Sequence, residues 1–454
     1  MVGEPGDAAW DRVRREISLL SRQDAGRVGR WSLRRAEALL RYHAGPSLNP
    51  AYRELLDGAG VDPCVPAWSR VPVIDKHWLA GAGYDRQPGC AGPVLIAGTS
   101  GSTASQVLVP VTAGCANRGL GDNFLRALVL SGVGPGQRHW GIEHRPPGQD
   151  QGVTGSSVSM GWLVRHGGDN ALVTVASSAL EEQLRRAVAF GPDTISGSPG
   201  FLQQIARTAA PLDPVLLVYG GAALAESDAG RLRARFPAAR LTAFYPTTEA
   251  GALGVAPGDD GVYRTFSETH LIEILDQDGQ PVPEGARGDV VVTQFAARAA
   301  PVIRYRVGDR ATYLGWSGGR LLLSGIERSA EAAIGSTLVP YSDLRTWAPR
   351  LAALGHPVVA VQLVRSRSAG PSREEPVVRV IGPRPGDELA CTELAGAALA
   401  LLDDFPQIAS EIASGELAPA RAEFREPPAS LAGHWKIPLY VDERSCGEDP
   451  CPSS

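Results

Sequence analysis

The sequence predicts an α/β protein. It has a large multi-layer α/β N-terminal domain with a β subdomain, over residues 1–324, and a small α+β C-terminal domain over 325–454. Three observations carry this. Between 171 and 244 short apolar strands alternate with segments of helical spacing, which is the pattern of helices packed on a sheet. Between 262 and 314 the chain switches to short strands separated by Asp-Gly and Gly-rich turns, the mark of a small β region. From about 325 onward the order becomes helix, strand, strand, helix, strand.

The elements follow in order. Residues 10–45 place apolar side chains at helical spacing (Val13, Ile17, Leu20; Leu33, Ala36, Leu39, Leu40) among arginines, and so read as amphipathic helices. Pro50 sits where a first helical turn tolerates proline, opening a short helix through Leu56. A strand over 93–97 leads into a Gly/Ser/Thr loop and a strand over 106–111 leaves it. Then come a helix over 113–131, strand 171–176, helix 178–189, strand 193–197, helix 200–209, strand 215–219, helix 224–236 and strand 240–244. Short strands at 271–275, 288–293 and 311–314 make the β region. The last domain takes helix 340–353, strands 357–365 and 375–381, helix 387–402 and strand 418–424.

Composition sets the class. A chain of 454 residues with 43% hydrophobic and 20% charged residues is globular and has room for two or three domains. A net charge of −5 leaves no basic footprint for nucleic acid, so an anionic ligand would have to be gripped by local donors and metal. No stretch reaches the roughly 18 apolar residues of a spanning helix, and the first residues lack the basic-then-apolar order of a secretory signal. Six scattered cysteines read as reduced thiols, so a cytoplasmic setting is expected, with neither nucleic acid nor membrane as partner. Cys446, Cys451 and His434 fit no zinc spacing. Of 44 basic residues only Lys76 and Lys436 are lysine. A lysine kept at 436 in such an arginine-biased chain is either a chance survivor on the surface or stands where a compact point charge is needed.

Four stretches carry chemistry. Gly98-Thr99-Ser100-Gly101-Ser102-Thr103 follows a strand with glycines and hydroxyls; such a loop is an ordinary turn or a concave donor set for phosphate oxygens. Tyr219-Gly220-Gly221-Ala222 ends an apolar run with small residues, a plain strand-to-helix turn or a floor on which a flat ring can lie. Phe244-Tyr245-Pro246-Thr247-Thr248-Glu249-Ala250-Gly251 joins aromatics to two hydroxyls and a carboxylate. Pro301-Val302-Ile303-Arg304-Tyr305-Arg306-Val307-Gly308-Asp309 ends in a Gly-Asp pair.

In this order and at these separations the four stretches resemble the core motifs of the adenylate-forming superfamily, which includes acyl- and aryl-CoA synthetases, peptide-synthetase adenylation domains and luciferases. The last stretch matches the phenylacetate–CoA ligase-like branch most specifically. The resemblance implies a mobile C-terminal domain and a site for ATP and Mg2+. It implies that Thr99, Ser100, Gly101, Ser102 and Thr103 face phosphate, and that Gly220, Gly221, Ala222 and Tyr245 flank adenine. Thr248 would meet the α-phosphate, Glu249 would place the metal, and Asp309, beside Arg306, would accept the ribose hydroxyls. Lys436, in Gly433-His434-Trp435-Lys436, would bridge the substrate carboxylate and the α-phosphate. The acid, small and by resemblance aromatic, would lie among Trp140, Tyr219, Tyr245 and Pro246.

Three departures stand out. Ala104-Ser105-Gln106 replaces the lysine usual after the phosphate loop, and Pro246 stands where glycine is usual. In Gly325-Ile326-Glu327-Arg328-Ser329-Ala330-Glu331-Ala332-Ala333-Ile334-Gly335, the hinge arginines become Ile326 and Ile334 and the aspartates Arg328 and Ser329. The hinge faces the second-step nucleophile, so the acceptor is expected to be CoA or an amine. A nucleotide-binding protein without turnover is the reading from another class, and a homodimer is compatible with any of these. Ser196-Gly197-Ser198-Pro199-Gly200 lacks the first glycine of a hydrolase elbow. Gly132-Val133-Gly134-Pro135-Gly136 does not open a dinucleotide-binding helix.

Overall fold

The computed structural model describes residues 6–45, 49–82, 94–98, 108–112, 121–143, 168–175, 180–221, 224, 226–328, 331–334, 337–355, 358–367, 374–426 and 439–443. They form two compact units, one built from residues up to 98 and from 108 to 326, the other from residue 327 onward.

The first unit is organised by an 11-stranded sheet. Its parallel half runs β7(Arg240–Thr247), β6(Leu216–Gly220), β5(Thr194–Gly197), β3(His139–Glu143), β4(Ala171–Val175). Alternation along β6 decides what covers each face. Leu217 points with Trp140, Ile142, Ile195 and Leu241 toward helices α6(Leu180–Phe190), α7(Pro199–Ala206) and α8(Glu226–Arg235), which contribute Ala187, Phe201, Leu202 and Leu232. Leu216 and Val218 point the other way, onto α1(Gly6–Ser21) through Trp10 and Val13 and onto α5(Asn123–Leu130) through Phe124 and Leu128. A parallel sheet needs both faces covered, and the apolar run at 216–218 records that.

Local signals start the helices. Asp24 caps α2(Ala25–His43) by accepting from the Arg27 N–H at 2.8 Å. Ser198 caps α7, with Pro199 in its first turn. Both caps satisfy backbone donors that no helical carbonyl can reach.

The strands expected as a β subdomain continue the same sheet. β7 turns back antiparallel into β8(Gly251–Ala256), which pairs with β9(Tyr263–Thr265). Beyond β9 follow β13(Arg320–Arg328), β12(Tyr305–Ser317), β11(Arg287–Gln294) and β10(His270–Leu275). Ile272, Ile274, Val290 and Val292 pack there with Leu39 and Leu40 of α2 and with Tyr52 and Leu56 of α3(Pro50–Gly58). Segment 68–74 lies against this half, with Ile74 bridged to Tyr305. Outside the sheet, β1(Val94–Gly98) and β2(Leu108–Thr112) pair antiparallel, and α4(Lys76–Gly81) precedes them.

In the second unit β16(Ala360–Arg367) and β17(Glu374–Ile381) pair antiparallel, with β19(Tyr440–Asp442) and β18(Arg421–Arg425) added parallel at the edges. Val361, Leu363, Val378 and Val380 pack on Leu344, Trp347 and Leu351 of α9(Tyr341–Ala352), on Leu394 of α10(Glu388–Leu399) and on Ile408 of α11(Pro406–Ser414). The hairpin β14(Glu331–Ile334)–β15(Thr337–Pro340) stands where the sequence analysis put the altered hinge. Ile334 is fully buried in the unit's core, so this departure replaces a cation by an apolar side chain that the surroundings accept. Ile326 ends the first unit and packs, half-buried, against its core.

Candidate active site

The site is built at the junction of the parallel and antiparallel halves of the large sheet. β7 and β8 are joined by a three-residue turn, Thr248-Glu249-Ala250, flanked by the Thr247–Gly251 pair. Gly251 has φ +77, a conformation glycine adopts without strain. The Thr247 hydroxyl accepts from the Ala250 N–H at 3.2 Å and donates to the Gly251 carbonyl at 3.2 Å. Thr248 and Glu249 are held at the tip, half-buried and open on one side.

Two carboxylates converge here, each bound by a tyrosine from the other's motif. The Tyr245 hydroxyl donates to Asp309 Oδ2 at 2.7 Å, and the Tyr305 hydroxyl donates to Glu249 Oε1 at 2.8 Å. Tyr245, Tyr305 and Asp309 are buried. Charge-assisted O–H···O bonds of this length are the stronger kind. The ring of Tyr263 meets Tyr245 edge-on, with centroids 6.0 Å apart. Burial, together with nearby Tyr219, raises the Tyr263 phenol, which therefore stays protonated.

Behind the turn, the Ala250 carbonyl accepts two hydrogen bonds, from His270 Nε2 and Gln294 Nε2, each at 2.7 Å. Burial, only partly offset by the bonds to Ala250 and Phe266, takes the His270 imidazole down to about 4. It is therefore neutral near pH 7, and since a carbonyl only accepts, its proton is on Nε2. Next to it, Glu268 lies between Arg320 and Arg126. Burial alone would raise its carboxyl, but the two guanidiniums outweigh that and hold it low. His270 and Gln294 escaped the sequence analysis. Their signal was a lone polar residue at the end of an apolar strand, His270 before Leu271-Ile272 and Gln294 after Val290-Val291-Val292-Thr293.

The remaining expected residues take varied places. Gly220 ends β6, where a Cβ would stand 2.9 Å from the Phe244 carbonyl oxygen and 3.5 Å from Pro246 Cδ. Gly221 follows with φ +79. Small residues are thus required by the sheet itself, and Pro246 packs against them. Arg306 forms an ion pair with Asp289, Nε to Oδ2 3.1 Å, on the half-exposed side of β12. Arg304 is the one non-glycine residue with positive φ, +45, among those described. Its guanidinium donates to the Val71 carbonyl at 2.6 Å and to the Ser69 carbonyl at 3.3 Å, and pairs with Glu273 at 3.3 Å. Burial raises the Glu273 carboxyl, and the Arg304 charge and the Trp68 N–H only partly counter it. Thr99, Ser100, Gly101, Ser102, Thr103, Ala222 and Lys436 lie outside the described residues.

Trp140 requires a correction. The sequence analysis placed it beside the substrate by resemblance, but its segment is β3, between β5 and β4. Trp140 has no exposed surface, its indole N–H donates to Thr174 Oγ1 at 3.0 Å, and Phe201 packs edge-on against it. It is a core residue.

A divalent cation fits the turn. No group of three or more His, Cys, Asp or Glu side chains that could cage a metal exists among the described residues. Mg2+ bound with a nucleotide needs no such cage, since it keeps waters and phosphate oxygens and takes one or two carboxylates. Glu249, half-buried at the turn tip with Thr248 beside it, offers one such carboxylate.

Comparisons with known proteins agree with this geometry. Residues 153–296 match the family of AMP-binding enzymes. The chain is 27% identical over 285 residues to the phenylacetate-coenzyme A ligase of Thermus thermophilus, an alignment covering 57% of this chain and 60% of that protein. The fold is that of a 2-hydroxyisobutyryl-CoA ligase solved in the postadenylation state, with TM-score 0.64 and 18% identity over 93% of this chain and 91% of the other. It is also that of an acyl acid amido synthetase solved with 2,4-DB, with TM-score 0.60 and 13% identity over 97% and 95% of the two chains. Among the described residues no helix is long and apolar enough to cross a membrane.

Proposed function

We propose that the chain is an adenylate-forming enzyme of the phenylacetate–CoA ligase-like branch, which activates a small carboxylic acid, by resemblance aromatic, as the acyl-adenylate and passes the acyl group to CoA. The observation that supports this reading best is the pair of crossed hydrogen bonds, Tyr245 to Asp309 and Tyr305 to Glu249. They bring the carboxylate suited to ribose and the carboxylate suited to metal into one site.

In this reading ATP lies with its adenine against Gly220, Gly221 and Ala222 beside Tyr245, its ribose hydroxyls on Asp309 near Arg306, and its phosphates toward residues 99–103. The acid lies by Tyr219 and Pro246. A carboxylate oxygen attacks the α-phosphorus in line, the bond to the β-phosphate oxygen breaks, and pyrophosphate leaves. A bound Mg2+, held by Glu249, neutralises phosphate charge. Thr248 donates to an α-phosphate oxygen, and Lys436 bridges the acid and that phosphate, so charge developing between them meets a fixed cation. Positioning does the rest. The acceptor then attacks the acyl carbon, AMP departs, and a thioester forms. Ile334, fully buried where the family carries a cation, supports a second reading in which the acceptor is an amine and the product an amide.

Pyrophosphate release from Mg-ATP tests this over a panel of aryl and small aliphatic acids, each run alone, with CoA and with amines. Release stimulated by CoA, with a thioester product, establishes the first reading. Stimulation by an amine alone establishes the second. Absence of release with every acid, while ATP still binds, means a nucleotide-binding protein without turnover.

A further inference from the structure

Tyr305 is set more rigidly than a ligand-contacting residue needs to be. It is fully buried, at 1% exposure. Its backbone neighbours are tied to Ile74 on both sides, Ile74 N–H to the Arg304 carbonyl at 3.1 Å and Arg306 N–H to the Ile74 carbonyl at 2.8 Å. The preceding residue, Arg304, holds its left-handed backbone through contacts of its side chain to Val71, Ser69 and Glu273. Such a conformation is strained outside glycine and persists only where the surroundings over-determine it. What this scaffold delivers is one phenol hydroxyl, placed on one oxygen of Glu249. Glu249 itself is half-buried at the tip of the β7–β8 turn.

We propose that Tyr305 is a positioning residue that makes Glu249 a one-oxygen ligand for a divalent cation and so sets the site's preference for Mg2+ over larger ions. This deepens the function proposed above and rests on it. A free carboxylate can bind through one oxygen or both. Two-oxygen binding suits Ca2+, which takes six to eight ligands in flexible geometry, whereas Mg2+ demands a near-ideal octahedron. A hydroxyl fixed on Oε1 occupies one of that oxygen's two lone pairs and restrains the carboxylate's rotation, which disfavours the two-oxygen mode. Groups that orient a metal ligand from behind typically change metal affinity by about 10- to 100-fold when removed.

The test is binding of Mn2+, measured by electron paramagnetic resonance in the presence of α,β-methylene-ATP, for the wild-type chain and for Tyr305→Phe. Mn2+ affinity is expected to fall about tenfold in Tyr305→Phe. The preference for Mg2+ over Ca2+, measured as competition against Mn2+, is expected to narrow by a similar factor. Binding of the nucleotide analogue without metal should be unchanged. A merely structural role for Tyr305 would weaken both kinds of binding together, and that result overturns the proposal. Glu249→Gln separates the two levels. If Glu249→Gln leaves Mn2+ binding intact, the metal assignment of the proposed function fails. If Glu249→Gln abolishes it while Tyr305→Phe leaves affinity and selectivity alone, only the role of Tyr305 fails. In the double variant the effect of Tyr305→Phe should vanish, because the tyrosine acts through that carboxylate. Glu249→Asp, which draws the carboxylate back from the phenol at the half-buried turn, should reproduce the loss of selectivity and serves if Tyr305→Phe does not fold. Unchanged selectivity in Glu249→Asp would then overturn the proposal.

Discussion

The hydroxyl of Tyr245 and the carboxylate of Asp309, 64 residues apart in the chain, are joined by a buried hydrogen bond of 2.7 Å. Each residue is thereby the other's partner inside the protein. Tyr245→Phe removes the donor and keeps the ring, and is expected to destabilise the first unit by about 1.5–3 kcal/mol, the range for hydrogen bonds to charged groups. Asp309→Asn added to Tyr245→Phe should cost less than the sum of the two single changes. Urea unfolding of the four proteins checks this, and strict additivity would show that the bond contributes nothing.

The Ala250 carbonyl offers a sharper case. Gln294→Leu leaves it one donor, His270 Nε2, and should cost about 1 kcal/mol. Adding His270→Leu orphans a buried carbonyl, so the pair should cost more than the sum of the singles. Denaturation midpoints give the stability terms. Apparent KM for ATP in the same variants reports how far the Thr248–Glu249 turn has moved.

Acid should weaken the protein through three buried histidines. Burial lowers His43 and His270 from 6.5 to about 4 and His139 to about 3. As pH falls below 6.5 the unfolded chain takes up a proton at each, while the folded chain does not until its own lower value is reached. Stability complete above pH 6.5 is therefore lost progressively down to about 4, and for His139 to about 3. The slope is about 1.4 kcal/mol per pH unit for each histidine. Unfolding measured from pH 7.5 to 5 should show this fall, and His139→Gln should make it shallower.

Gly220→Ala tests the close approach of β6 and β7. The added methyl would meet the Phe244 carbonyl oxygen at 2.9 Å, a backbone atom that cannot swing aside. A cost of about 1–3 kcal/mol is expected, together with weaker nucleotide binding, because the strand end that should floor the adenine must shift. Thermal unfolding and equilibrium dialysis with ATP check the two effects. Wild-type values in both would show that the strands part freely.

Much of this was legible in the sequence because it rests on local rules. The parallel strands at 171–175 and 216–220 are short, mostly apolar runs between helical patterns, and Asp24 and Ser198 cap helices as their side chains dictate. The antiparallel half was harder to place. A period of two marks its strands but does not say that β8 carries them onto the same sheet as β7. Trp140 misled because nothing local distinguishes an aromatic in a buried strand from one lining a pocket; β3 lies inside the sheet, and His139 beside it is buried with Nε2 2.8 Å from Ser196 Oγ. The motif carboxylates were identifiable by type and order. Their tyrosine partners were not, since nothing along the chain records that positions 56 and 64 residues apart will share a hydrogen bond.

That crossing has a consequence for anyone who would re-engineer the site. The stretch 244–249 and the stretch 305–309 cannot be diversified as independent cassettes. A variant library that randomises one against a fixed copy of the other will discard sequences that succeed only with a matching change 56 or 64 positions away. Selection should therefore find substitutions at 245 and 309, and at 249 and 305, arriving in couples, and a recombination breakpoint between the two stretches should yield mostly inactive chimeras.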